Sequence, residues 1–437
     1  MPIELFCILL FGSLILFLAM GMPIAFATGS AGLIGLLLAW GPQSLYLIAS
    51  RTLQNMNSYT LVAIAPFVLM GMVMERSGIG RELFEVVYQW AGSFKGSLAV
   101  TAVLVCTIMA AMTGVVGAAV TTVGMIALPA MLKRNYSKHL ALGSCCAGGS
   151  LGVLIPPSII FIIYGSCTNI SVGKLFMGGF ATGGLLSLIF IFYILIRSYI
   201  QPDYAPALDK EDHLPLKTRV RLLKNVIAPI LLVVLVLGVI FAGLATPTEA
   251  AGVGALGAIV CAMFRPSFTW RMFNGILIDT VKITCMVMWI VFGSSFFVAV
   301  FAGAGGAQLV EDLLIVNVSN RWIILFITMG ILFLLGCFMD SIAIVLLCAP
   351  IFTPIIIALK FDPIWFGIIF NLNLQMAYIT PPFGYSLFYL KGVAPEGVTT
   401  GDIFRSVWPF VGLQFITLLL CIKFPILAMW LSDMMIG

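Results

Sequence analysis

The sequence predicts an all-α polytopic membrane protein with inverted-topology repeats, two re-entrant helical hairpins and two transmembrane helices broken by Pro-Pro steps. Three observations predict it. The 437 residues are 62% hydrophobic and only 9% charged, with a mean hydropathy of +1.16, far outside the range of soluble domains. Runs such as LFCILLFGSLILFLAM and IAPILLVVLVLGVIFAGL are apolar all round, where the strand of a membrane barrel would alternate with period two. Pro156-Pro157 and Pro381-Pro382 interrupt apolar stretches at corresponding places of two chain halves. Proline lacks an N–H and clashes with the preceding helical turn, so each step frees carbonyls at bilayer depth. Such carbonyls are tolerated only when buried in protein or lining a polar cavity, as at the midplane sites of secondary carriers.

Residues 1–58 read as scaffold helices of the first repeat, with spans at 3–20 and 22–40. The first run has no basic leader and continues into a second span, so it reads as a retained helix and not as a cleaved signal peptide. Residues 59–198 complete the repeat with a span at 59–74, a hairpin at 96–132, a broken helix at 140–165 and a span at 176–197. The polar stretch 199–224 reads as a cytoplasmic loop, too short to fold alone. Residues 225–275 supply the scaffold helices of the second repeat, with spans at 226–241 and 247–264. Residues 276–437 then hold a span at 276–301, a hairpin at 322–359, a broken helix at 363–390 and a last span at 403–430.

The hairpins are recognised by their centres. MAAMTGVVGAAVTT places Thr113 and Gly114 in mid-segment, and LLGCFMDSIAIV places Gly336, Asp340 and Ser341 there. Each arm is short for a perpendicular span of ~20 residues, which favours entry and exit on one side. Basic residues orient the chain: Arg76, Arg81, Lys95, Lys133, Arg134, Lys138, Arg197, Lys210, Lys217, Arg219, Arg221 and Lys224 mark cytoplasmic ends. Glu311 and Asp312 then fall outside, the second hairpin enters from the opposite face, and both termini are periplasmic. Pro23 pairs with Pro247, Pro129 with Pro350 and Pro157 with Pro382, at separations of 224, 221 and 225 residues. An odd number of crossings lies between equivalent points, so the halves are inverted.

The stretches around 81–92 and 270–282 mix basic, acidic and aromatic residues and suit interfacial helices or the polar ends of spans. Glu249, near a span start, reads as a scaffold salt-bridge partner. The ten cysteines lack metal-ligand spacing and read as packing residues. A net charge of +5 reflects cytoplasmic loop bias and suggests no nucleic-acid partner.

The PPSIIFIIYG and TPPFGYSLFYLKGVAP segments, the hairpin tips and the MPIAFA stretch together resemble the large membrane (M) subunit of the tripartite ATP-independent periplasmic (TRAP) transporters, over essentially the whole chain. The resemblance implies a multi-pass protein of the bacterial inner membrane and no enzymatic activity. It implies a sodium-driven elevator, in which the hairpins and broken helices slide as one domain against a scaffold. A small four-helix membrane (Q) subunit, a soluble periplasmic substrate-binding (P) protein and a small organic anion as substrate follow from it. Phe383-Gly384 and the GVAP ending look closer to the organic-acid and 2-oxo-acid branch than to the sialic acid branch.

Sodium is a hard cation and prefers oxygen ligands, which carbonyls freed by a broken helix supply at little charge cost. In half one, the tip Thr113-Gly114 is expected to meet the break at Ser150, Val153 and Pro156. In half two, Gly336, Asp340 and Ser341 are expected to meet Gln375, Ala377, Tyr378 and Thr380. Val153, Pro156, Ala377 and Tyr378 would ligate through backbone carbonyls. Asp340 carries the most information, because a carboxylate at bilayer depth costs about 2.5–3.5 kcal/mol and needs a partner. A bound sodium ion is one partner; the alternative is a tip acid that only caps the second arm. Thr113, Ser150 and Ser341 have a competing role in helix packing.

The anion would sit between the tips, where half-helices start after Pro157 and Pro382. Thr113, Ser158, Asn371, Pro382 and Ser386 are its expected contacts, while Asn169 reads as a helix cap. No basic residue falls inside the core; Lys174, Lys282 and Lys391 read as interfacial. An intramembrane protease fails on parts, since His139 and His213 are in loops and Asp340 has no second acid. A channel fits two inverted hairpins poorly. A carrier working alone, without a binding protein, remains the alternative.

Overall fold

Inside a bilayer a chain without strand-type alternation can satisfy its backbone only within helices. In the computed structural model, which describes residues 2–91, 94–207, 215–265, 268–315 and 320–435, every regular element is accordingly helical. Lys210, His213 and residues 316–319 lie outside the described residues.

The first half runs α1 (Ile3–Ala19), α2 (Ile24–Trp40), α3 (Tyr46–Met56), α4 (Tyr59–Val62), α5 (Ile64–Arg76), α6 (Ile79–Ala91), α7 (Ser97–Thr113), α8 (Val116–Lys133), α9 (Lys138–Ser150), α10 (Ile159–Thr168) and α11 (Val172–Ile200). The second runs α12 (Leu216–Phe241), α13 (Pro247–Met263), α14 (Trp270–Gly303), α15 (Gly306–Ile315), α16 (Arg321–Gly336), α17 (Ser341–Ala358), α18 (Pro363–Tyr378), α19 (Tyr385–Val393), α20 (Thr400–Lys423) and α21 (Ile426–Asp433). Among the described residues, six helical stretches are long and apolar enough to cross a membrane, namely Tyr59–Arg76, α8, α11, α14, α17 and α20, and the bent α12 would make a seventh. Helices α1, α2, α7, α10, α13 and α16 are shorter and apolar.

The halves exchange contacts reciprocally. Helix α2 packs along α14 and α13 packs along α5; likewise α10 packs on α17 and α19 on α8. Each half-helix that follows a Pro-Pro break therefore leans on the hairpin of the other half. Aromatic side chains fill the centre, with Phe190 of α11 meeting Phe410 of α20 edge to face at 5.4 Å. Tyr164 and Thr353 share a hydrogen bond of 3.0 Å between α10 and α17. The Trp365 indole N–H donates to the Cys421 carbonyl at 2.9 Å, joining α18 to α20. The scaffold is pinned at its basic end by the ion pair of Arg76 on α5 with Asp279 on α14.

The structure changes two expectations about elements and decides between two readings of a third. The last span, 403–430, is two helices: Phe424 leaves helical geometry (φ −123°, ψ 79°) because the following Pro425 clashes with a helical neighbour. Of the two readings of the 270–282 stretch, the polar end of a span holds: it is the start of the 34-residue α14, which no proline interrupts. Glu249 closes a capping box on α13, accepting from the Thr246 N–H at 2.8 Å while Thr246 caps the Glu249 N–H.

Candidate ion and substrate site

Each broken helix stops where its sequence makes it stop. Helix α9 ends at Ser150, tightens into a 3₁₀ turn over Leu151–Val153 and restarts as α10 at Ile159; α18 ends at Tyr378 and α19 starts at Tyr385. Both Pro-Pro bonds between these segments are cis. The first tip turns at Gly114, which is left-handed (φ +61°) and donates its N–H to the Ala110 carbonyl at 2.9 Å. A Cβ at Gly114 would run into the Pro157 carbonyl oxygen, so tip and break touch backbone to backbone. Gly71 of α5 lies as close on the other side, where an added Cβ would sit 2.6 Å from the Thr113 carbonyl oxygen. In the second half, Gly336 abuts Ala377 and the Ser341 hydroxyl shares a 2.7 Å hydrogen bond with the Tyr378 hydroxyl.

A cavity of about 570 Å³ lies between these tips and the scaffold. Of the expected residues, Gly114, Val153, Asp340 and Tyr378 line it, with Tyr385 and Tyr389 from α19 and Ile290 from α14. Asp340 is the only carboxylate among its lining residues, and no basic side chain lines it. The same carboxylate caps α17, accepting from the Ile342 N–H at 3.0 Å. Capping occupies part of the acceptor capacity of one carboxylate and leaves the rest facing the cavity.

Other expected residues sit behind the lining. Thr113, Ser150 and Thr380 donate back to Met109, Ala147 and Met376 of their own helices at 2.8–2.9 Å. A hydroxyl bonded this way retains acceptor capacity. Ser158 is fully buried and donates to the Val153 carbonyl at 2.5 Å; Asn371, also fully buried, donates to Gly367 at 3.2 Å. Ser386 is buried as well, and Pro382 is exposed. Ser158, Asn371, Pro382 and Ser386 are thus outside the cavity lining. Pro156 is buried within the break.

The sequence reading missed Gln414. Its Nε2 reaches the Ser150 hydroxyl at 3.3 Å, and the Nε2 of Gln375 reaches the same oxygen at 3.4 Å. All three residues are fully buried, and both glutamine carbonyl oxygens are without a partner. A buried amide in the otherwise apolar middle of α20 was the available signal. Tyr385 and Tyr389 were also missed; their four-residue spacing on a helix following the break places both on one face.

Ser341→Ala removes the partner of the Tyr378 hydroxyl. The expected result is a loss of about 1 kcal/mol of stability, read as a small fall in Tm in detergent. An unchanged Tm would show the hydrogen bond to be replaced.

Two like helical halves, whose hairpin tips and broken helices converge on one cavity beside a scaffold, define a membrane transport protein. Residues 11–427 match the family described as "Tripartite ATP-independent periplasmic transporter, DctM component". The chain belongs to this family and is a multi-pass protein of the bacterial inner membrane. It is 31% identical to the C4-dicarboxylate TRAP transporter large permease protein DctM of Vibrio cholerae, over 100% of this chain and 99% of that one. It is 33% identical to the protein of the same name from Pseudomonas aeruginosa, covering 92% and 94%. It is 30% identical to the sialic acid TRAP transporter large permease protein SiaM of Vibrio cholerae, covering 95% and 96%. The fold resembles the crystal structure of the Alcanivorax borkumensis YdaH transporter, with a TM-score of 0.68 at 12% identity over 96% and 98% of the chains.

Proposed function

We propose that this chain is the membrane permease subunit of a sodium-coupled, binding-protein-dependent secondary transporter that imports a small organic anion by an elevator movement. One observation carries the reading: Asp340, Val153 beside the first break and Tyr378 beside the second line one cavity, walled on its far side by residues of α2 and α14. Sodium is taken as the coupling ion, held at the two tip-and-break junctions by Thr113, Gly114, Ser150, Val153 and Pro156 in one half and by Gly336, Asp340, Ser341, Gln375, Ala377, Tyr378 and Thr380 in the other. Gly71 packs against the backbone of the first tip, the close approach that a small residue permits between membrane helices. The hairpins are taken as re-entrant and opposed, with the Arg76 end of the scaffold cytoplasmic.

The partners are a small four-helix (Q) subunit and a soluble periplasmic (P) protein. The substrate is a carboxylate or sulfonate. The C4-dicarboxylate and sialic acid relatives differ in what their names say they carry, and Phe383-Gly384 favours the organic-acid group.

The test is uptake into proteoliposomes holding this chain and its small subunit, with the cognate binding protein outside. Succinate, pyruvate, isethionate and sialic acid would be scanned with and without an inward sodium gradient. Saturable uptake that needs both the gradient and the binding protein is expected. Uptake by the chain alone would contradict the tripartite reading, and uptake indifferent to sodium would contradict the coupling.

A further inference from the structure

A second cavity, of about 460 Å³, lies end to end with the first, and the same three helices line both. Helix α10 contributes Ile160 to the first and Ile163 to the second; α14 contributes Ile290 and then Val291; α17 contributes Ile342 and then Leu346. Along α14 the order is Asp279 with its partner Arg76, then the first cavity, then the second. The second cavity therefore lies on the side remote from Arg76. An apolar layer containing Ile163, Val291 and Leu346 separates the chambers, and the step from Ile342 to Leu346 is only about 6 Å of helix.

The two chambers are chemically opposite. The first carries Asp340 and no basic side chain; the second carries Arg51 of α3 and no acidic one. Arg51 donates to the Gln54 side chain at 3.1 Å, and no carboxylate pairs with it among the described residues. The wall beside it is polar. Asn55 donates to Ser295 at 2.5 Å, which ties α3 to α14, and Ser166 faces the same space. Arg51 is exposed and stands at the rim of this chamber, and its guanidinium keeps several donors in a planar fork that matches a carboxylate or sulfonate.

We propose that the second chamber is an antechamber for the anionic substrate, in which Arg51 holds the carboxylate or sulfonate group before the anion passes the apolar layer to the cavity at the hairpin tips. This rests on the transport reading above and adds a site to it. It also places the missing positive charge outside the core, where the anion is recognised before it meets Asp340.

Cys167 lines the same chamber and serves as a reporter. The full chain in membranes would be treated with 2-sulfonatoethyl methanethiosulfonate, a sulfonate, or with its trimethylammonium counterpart, and modification at Cys167 read by peptide mass. With each rate divided by that of the same reagent on a small free thiol, the anionic reagent is expected to be favoured roughly tenfold over the cationic one, the size of bias that a focused single charge produces. Arg51→Gln is expected to bring that ratio close to one, and Arg51→Lys to restore most of it. Uptake by R51Q should show a raised half-saturating substrate concentration with its sodium dependence unchanged.

Equal normalised rates in the unsubstituted protein, or a ratio untouched by R51Q, would overturn the proposal, because a guanidinium that only snorkels to the surface gives that result. Should neither reagent react, because the Cys167 thiol stays bonded to the Tyr164 carbonyl, the half-saturating substrate concentration of R51Q decides, and an unchanged value would overturn the proposal. Loss of the reagent asymmetry with sodium-driven uptake intact removes this inference alone. Asymmetry without any uptake removes the transport reading alone.

Discussion

Asp340→Asn is expected to raise the half-saturating sodium concentration for uptake by about tenfold while leaving the protein folded. Asparagine caps helices as well as aspartate does, so the start of α17 and its bond from the Ile342 N–H survive the substitution. What disappears is the charge facing the cavity. A hydrogen-bond partner that is ionised contributes about 1.5–3 kcal/mol where a neutral one contributes about 0.5–1.5, and the difference of about 1–1.5 kcal/mol is close to a factor of ten. The measurement is initial uptake rate against external sodium in proteoliposomes, alongside thermal unfolding in detergent. Unchanged sodium dependence would falsify the ligand role and leave Asp340 as a helix cap only. A large fall in Tm would instead show that the charge stabilises the tip itself.

Gly114→Ala is expected to abolish uptake and to lower stability by about 2–4 kcal/mol. Two penalties add at this position. The residue sits at φ +61°, where a side chain costs roughly 1–2 kcal/mol, and the new methyl collides with the Pro157 carbonyl oxygen, which belongs to rigid backbone and cannot rotate away. The tip must withdraw from the break, which separates the oxygens proposed to share an ion. Gly184→Ala supplies the control, since nothing lies within 4 Å of a Cβ there and alanine favours helix. Uptake and Tm of both variants decide the matter: if G114A transports normally, tip and break are not required to touch.

The parts of this architecture visible in the sequence are those written locally. Proline steps, small-residue tips and apolar runs act through the backbone within a few residues, and the paired breaks and tips stand where those signals put them. The family was legible for the same reason. What escaped was facing direction. Ser158, Asn371 and Ser386 are polar residues beside a break, but polarity does not tell which side of a helix looks into the cavity, and all three are buried behind its wall. Phe424-Pro425 was read through as one span because the apolar run continues across it. Gln414 was missed because its partner Ser150 is distant in the chain, and nothing in the α20 segment names that partner.

Ser150 and Gln375 are 225 residues apart, the separation that relates Pro157 to Pro382. They are therefore counterparts, and they touch. Counterparts can meet only on the axis that relates the halves, so this contact marks where that axis pierces the protein. A ligand that moves the first break displaces Ser150, and Gln375 must follow with the second break. With sodium at both junctions, as proposed, binding would be reciprocal: whatever one ion did to the affinity of the other would be returned in equal measure. Favourable coupling would make sodium activation steeper than one-site saturation. The Hill slope of uptake against sodium would then report on the contacts that Ser150 makes at the centre of the molecule.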